Sequence, residues 1–253
     1  MESPESSGST GTAAREAFGN RRIGRYVPAT VVGEHVAKRK KPKGKGNAVG
    51  VAPISEVMGF KVLGKRHPEV AELLEEDAPE IHGEKVWTSS WLLLDYLERI
   101  RMVRGTRVLE VGCGWGIASN YCARVRGARV TALDADRCVF PILALQAEAN
   151  GVRIPTIQHK FDRIPLKVLK QTDFLIGADI CFWDDLIPPL LEMIRRAMRA
   201  GVKRVILADP GRPCFEDLAA LCDNEFRSLL IDTDTKTPVK AEGYVLIVEE
   251  RKG

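Results

Sequence analysis

Three glycines stand at alternate positions in EVGCGWG, residues 110–116, directly behind the β-branched and leucine-rich run TRVLEV. Gly112, Gly114 and Gly116 leave a strand-to-helix turn without β-carbons, so a ligand can come close to its backbone. The spacing discriminates between ligands. A dinucleotide fingerprint, GxGxxG, would need glycine at position 117, where the chain has Ile117. Hydride chemistry on NAD is therefore disfavoured, and E-x-G-x-G-x-G suits a ligand without a pyrophosphate. The following strand candidate ends in LDAD, with Asp134 eighteen residues after Gly116. A carboxylate there can accept both hydroxyls of a ribose as a bidentate pair. A tight turn followed by a solvated aspartate is the plainer alternative.

The elements that must position these residues alternate regularly. TRVLEVG reads as a strand, IASNYCARVRG as a helix closed by Gly127, ARVTALD as a strand, and RCVFPILALQAEANG as a helix closed by Asn150 and Gly151. IPTIQHKF and DFLIGADICF give further strands, LIPPLLEMIRRAMRAG a helix, KRVILADP a fifth strand and FEDLAALCDN a helix. FRSLLIDTDT and GYVLIVEERK close the chain as two strands without a helix between them, so that pair is antiparallel. Strands separated by helices imply right-handed βαβ units and a mainly parallel sheet. Ligands then lie at the carboxyl ends of the strands, near the switch in strand order. Upstream, PEVAELLEE with Pro68 in its first turn predicts a helix, and SWLLLDYLERIRM predicts another with Ser89 or Ser90 as N-cap.

EVGCGWG followed by LDAD resembles motif I and the acidic post-I residue of the class I, seven-strand S-adenosylmethionine-dependent methyltransferases, over about residues 80–253. The resemblance implies an α/β fold, a Rossmann-like doubly wound sheet of seven strands in the order 3-2-1-4-5-7-6, with the last pair antiparallel. It implies S-adenosyl-L-methionine as cofactor. Gly112 and Gly114 would pass under the methionine part, with Cys113 offering its backbone. Glu110 would lie near the methionine end and act through water on the ammonium. Asp134 would hold the ribose and Asp162 the adenine amino group, while Gly116 and Ala178 complete the cofactor-binding set.

VWTSSWLLLDYL resembles the W-x-x-(S/A)-x-x-L-x-x-(Y/F)-L lead-in of the protein-lysine methyltransferase group often called family 16, which would put Trp87 against the cofactor pocket. GADICF places Asp179 and Phe182 in the D-x-x-(F/Y) pattern that this group carries after its fourth strand. ADPGRP resembles a stretch of bacterial relatives of the electron-transfer-flavoprotein β-subunit lysine methyltransferases, and would set Asp209 and Arg212 at the substrate mouth. No N-P-P-Y or D-P-P-Y tetrapeptide follows the fourth strand, which counts against methylation of planar amides or of base amino groups. By this resemblance Asp179 and Phe182 are the catalytic pair, a carboxylate to hold a lysine ammonium and an aromatic wall that favours cations. The expected acceptor is a lysine side chain of a protein. A small-molecule amine or pyridine nitrogen, or a non-catalytic domain that binds a partner or RNA, stays open as an alternative.

Composition bounds the rest. The 253 residues carry a formal charge of +4, yet residues 1–50 hold ten Lys/Arg against four Asp/Glu, and the remainder holds 28 against 30. The expectation is a basic, flexible arm over 1–53, densest in KRKKPKGKG, and one methyltransferase domain over 54–253. Nucleic acid could meet the arm but is not the favoured partner. Six scattered cysteines form no CxxC pair, so no metal site is expected. The chain lacks a long apolar run, and MESPESSGST lacks a signal-peptide pattern. A cytoplasmic monomer without membrane association is expected.

Overall fold

The structure, a computed structural model, describes residues 26–27, 54–77, 79 and 83–251. Apart from Tyr26 and Val27, the arm expected over 1–53 and its basic run lie outside the described residues. The elements are β1 (Tyr26–Val27), β2 (Ile54–Val57), β3 (Phe60–Leu63), α1 (Pro68–Glu76), α2 (Ser89–Arg99), β4 (Arg107–Val111) and α3 (Ile117–Arg124). There follow β5 (Arg129–Asp134), α4 (Phe140–Ala149), β6 (Thr156–Gln158), α5 (Leu166–Lys170), β7 (Phe174–Ala178) and α6 (Ile187–Arg199). The chain closes with β8 (Arg204–Asp209), α7 (Pro213–Glu225), β9 (Arg227–Thr235) and β10 (Ala241–Glu249).

One sheet runs β1-β9-β10-β8-β7-β4-β5-β6. Counted from β4, its seven main strands follow the expected order 3-2-1-4-5-7-6. β4 lies parallel to both β5 and β7, and β10 is antiparallel to both β8 and β9. The order reverses at β4, which places the ligand crevice over the ends of β4, β5 and β7. β1 extends the far edge by pairing antiparallel with β9 at Ile231 and Leu230.

The sheet has two buried faces, and its strands alternate between them as the two-residue repeat requires. Ile206 and Ala208 of β8 pack with Trp91, Leu94 and Leu97 of α2, while Val205 and Leu207 pack with Leu190, Ile194 and Leu218 of α6 and α7. Val108 and Glu110 of β4 face the first layer, where α3 lies, and Leu109 and Val111 face the second. A third cluster of Leu63, Val70, Trp115 and Ile142 seats the N-terminal segment on α4. No helix among the described residues is long and apolar enough to cross a membrane.

Two local expectations change. β2 and β3 form a hairpin that the sequence reading left without strands, closed by Met58 and Gly59, both at positive φ as a tight hairpin turn demands. Its outer edge pairs with side chains. Asn150 bonds both the N–H and the C=O of Lys61, and Gln146 does the same for Leu63, at 2.7–2.8 Å. Four residues of helix rise about 6 Å and two of strand about 6.6 Å, so amides four apart on α4 match alternate residues of β3. The N-cap of α2 is Thr88, not Ser89 or Ser90, because the helix already begins at Ser89, whose hydroxyl bonds Asp179.

Candidate functional site

A cavity of about 410 Å³ opens over the carboxyl ends of β4, β5 and β7. Its floor is the glycine turn. Gly114 has φ +48 and nothing within 4 Å of where a Cβ would stand, so its backbone faces open space. At Gly112 a Cβ would meet Ile180 Cγ2 at 2.4 Å, and that glycine serves the close approach of the β7 loop. Gly116 starts α3 and is wanted for contact with Leu143, not for the cavity.

Asp134 ends β5 and lines the cavity beside Gly114. Its Oδ2 accepts the Gly114 N–H at 2.9 Å and its Oδ1 the Asp136 N–H at 3.0 Å. Those bonds fix the carboxylate in register with the glycine turn and leave lone pairs for a ligand. Burial pushes its carboxyl upward, and the backbone donors oppose that push. Asp162, with Lys160 and Phe161 just past β6, forms the far wall.

Glu110 and Cys113 stand behind this floor, outside the cavity lining. Glu110 is 4% exposed, and its Oε2 accepts the Ser119 N–H at 2.8 Å. Ser119 lies in the first turn of α3, so the carboxylate satisfies a helix donor that has no partner within the helix. Burial raises its carboxyl to about 7, against the pull of Ser119. Cys113 donates its N–H to the Leu133 carbonyl at 3.1 Å, and burial raises its thiol well above the usual range.

Residues 83–88 roof the cavity, held down where the Trp115 indole N–H donates to the Gly83 carbonyl at 2.7 Å. From that roof Trp87 faces the cavity, with Lys85 Nζ 4.0 Å from its ring centroid.

The opposite end is built after β7. Ala178, Asp179, Ile180 and Phe182 line it, with Leu186 and Pro189 at the start of α6. Asp179 takes a positive φ of 60°, uncommon outside glycine though aspartate tolerates it, and its N–H donates to the Ala208 carbonyl at 2.9 Å. Its side chain is only 5% exposed. Ser89 Oγ donates to Oδ2 at 2.7 Å, and Arg212 Nη2 donates to Oδ1. Arg212 also bonds Asp209 Oδ2 at 2.7 Å, and Asp209 Oδ1 accepts the backbone N–H groups of Gly211 and Arg212. Asp209 is wholly buried, and its carboxyl is raised to about 6 by that burial, partly offset by Arg212. Asp209 and Arg212, expected at the substrate mouth, instead stand behind Asp179. Phe182 meets Trp183 edge to face at 5.0 Å, and Trp183 is 62% exposed.

The structure thus gathers Trp87, Gly112, Gly114, Asp134, Asp162, Ala178, Asp179 and Phe182 around one cavity. Residues 108–201 match the family model described as a methyltransferase domain. Over those residues the chain resembles a methyltransferase domain. The cofactor of such a domain is S-adenosyl-L-methionine, and the site fits it: a bare Gly114 backbone, a positioned Asp134 carboxylate and a cavity of small-molecule size lie together.

The chain is 26% identical over 144 residues to the electron transfer flavoprotein β-subunit lysine methyltransferase of Xenopus laevis, covering 54% of this chain and 58% of that one. It spans about half the length of the curated relatives of that name. Over 63 residues it is 38% identical to the ubiquinone biosynthesis O-methyltransferase of Chromobacterium violaceum, covering 25% of this chain and 27% of that one. Its fold resembles a precorrin-6y C5,15-methyltransferase structure from Geobacter metallireducens GS-15, with TM-score 0.53 and 12% identity over 70% of this chain and 95% of that one. Among the described residues no group of three or more His, Cys, Asp or Glu could hold a metal ion.

Proposed function

We propose that this methyltransferase domain transfers methyl groups to an amine nitrogen, with the side chain of a protein lysine as acceptor. One observation carries the reading. The cavity that holds Gly114 and Asp134 at one end holds Asp179 and Phe182 at the other, so a cofactor group and an amine can meet inside it. The similarity to lysine methyltransferases over half the chain supports the same acceptor.

S-adenosyl-L-methionine supplies an electrophilic methyl group on a sulfonium when bound. The protein's task is then to place a nitrogen lone pair in line with it. Asp179 orients the acceptor by a charge-assisted hydrogen bond on a lone pair that Ser89 and Arg212 leave free. Phe182 supplies a wall that favours a cation and excludes water. Arg212, by balancing Asp179, keeps the site from holding the ammonium too firmly, so that its proton can leave to solvent before attack. Positioning carries most of the rate and proton loss a smaller share.

The test is incubation of the protein with methyl-labelled S-adenosylmethionine and a proteome extract freed of small molecules, resolved by gel, with the modified residue located by mass spectrometry. A discrete band bearing methyl-lysine is expected. Label that appears only on an added small-molecule amine, or no transfer despite cofactor binding, would refute the protein-lysine reading.

A further inference from the structure

We propose that Lys85 binds the carboxylate at the amino-acid end of the cofactor, with Trp87 as its platform. The assignment rests on the cofactor reading above and adds to it a residue that neither the glycine turn nor the acceptor motif contains.

Charge makes the first part of the argument. Five charged side chains line the cavity: Asp134, Asp162, Asp179, Lys85 and Lys160. Asp179 is paired with Arg212, Asp162 lies 3.7 Å from Arg163, and Asp134 is tied to backbone donors. Among the described residues neither lysine has a carboxylate within ion-pair distance. S-adenosylmethionine carries a sulfonium, an ammonium and a single carboxylate. A lysine in the same cavity opposes binding near either cation and favours it only beside the carboxylate.

Position decides which lysine does this. Lys160 sits just past β6, next to Phe161 and Asp162, on the outer side of Asp134 where the nucleoside would lie. Lys85 sits in the roof, two residues from Gly83 and four from Ser89. Gly83 is bonded to Trp115 of the glycine turn, and Ser89 to Asp179. Lys85 therefore lies between the floor at Gly114 and the acceptor end, where the amino-acid part must run. Its ammonium, 4.0 Å from the Trp87 centroid, is held on a ring face that attracts cations and leaves its N–H donors free to point into the cavity.

The experiment compares two thioether ligands by calorimetry, S-adenosylhomocysteine and the amine obtained by decarboxylating it, so that no turnover is involved. Wild-type protein should prefer the carboxylate-bearing ligand by about ten- to a hundredfold, the range of a charge-assisted hydrogen bond. Lys85→Met should lose that preference without weakening the decarboxylated ligand, whose ammonium no longer faces a lysine, and Lys85→Arg should keep it. Lys160→Met should leave the preference intact. Retention of the preference in Lys85→Met would overturn the proposal, as would equal weakening of both ligands, which would mean that Lys85 only supports Trp87. Should Lys85→Met melt below the wild type, Lys85→Gln, which keeps a polar stem without the charge, must give the same loss of preference. Wild-type protein that bound neither ligand would refute the cofactor reading itself, and the proposal with it.

Discussion

Arg212→Met tests how the acceptor end is built. The substitution keeps much of the aliphatic stem and removes the one cation shared by Asp179 and Asp209. In the wild type the wholly buried Asp209 has its carboxyl raised from 3.8 to about 6, chiefly by burial. A native pKa above the unfolded one favours folding most at low pH, and that contribution is lost as pH rises through about 6. Above that pH the ionised Asp209 costs the native state about 3 kcal/mol. Without Arg212 the carboxyl rises further, and the native state can escape the buried charge by taking a proton. At pH 8 that proton costs about 6 kcal/mol, roughly four pH units at about 1.4 kcal/mol each. Through Asp209 the variant is then destabilised by at most about 3 kcal/mol at pH 8, apart from what Asp179 loses with the same cation. At pH 5.5 the proton costs about 2 kcal/mol and the wild type bears nearly the same, so the Asp209 part of the difference falls below about 0.5 kcal/mol. Urea unfolding followed by circular dichroism at the two pH values measures both numbers. A loss of equal size at pH 8 and pH 5.5 would refute the shared-cation account and leave only lost packing.

Asp134→Ala should weaken S-adenosylmethionine binding by about ten- to a hundredfold in calorimetry, the worth of hydrogen bonds to a charged group, while the fold stays intact. Asp179→Ala should lower turnover by about a hundredfold or more in a methyl-transfer assay and change cofactor affinity by less than about threefold. Full activity of that variant on its substrate would move the acceptor end elsewhere. Gln146→Ala strips the amide that bonds both backbone groups of Leu63, and unfolding should show a loss of about 2 kcal/mol with cofactor affinity unchanged.

The strand directions were legible because each structural rule acts locally on the sequence, while the strand order came with the family resemblance that EVGCGWG and LDAD carry. Helical periodicity between strands forces parallel crossovers, and the short link between FRSLLIDTDT and GYVLIVEERK can only return antiparallel. Asp134 was legible for the same reason, as the last residue of a strand beside a glycine turn. What escaped depends on contacts distant in sequence. Nothing near Ser89 announces a bond to Asp179 ninety positions away, and Arg212, expected at the substrate mouth, meets Asp179 only because the α6–β8 crossover returns the chain beside β7 after 33 positions. The β2–β3 hairpin was hidden differently. Its strands are four residues each, and half of its hydrogen-bond partners are helix side chains that no strand pattern encodes. Gly59 was a local signal for the turn, whereas Met58, also at positive φ, gave none.

That hairpin bears on how the protein behaves in a crowded solution. A four-residue edge strand would ordinarily offer its free N–H and C=O groups as a template on which another chain could add a strand. On β3 the outward groups of Lys61 and Leu63 are all taken by Asn150 and Gln146, so an incoming strand finds neither donor nor acceptor. Two amides on one helix therefore guard β3 against edge-to-edge aggregation, beside the charge of its exposed Lys61 and without the proline or bulge that edge strands also use.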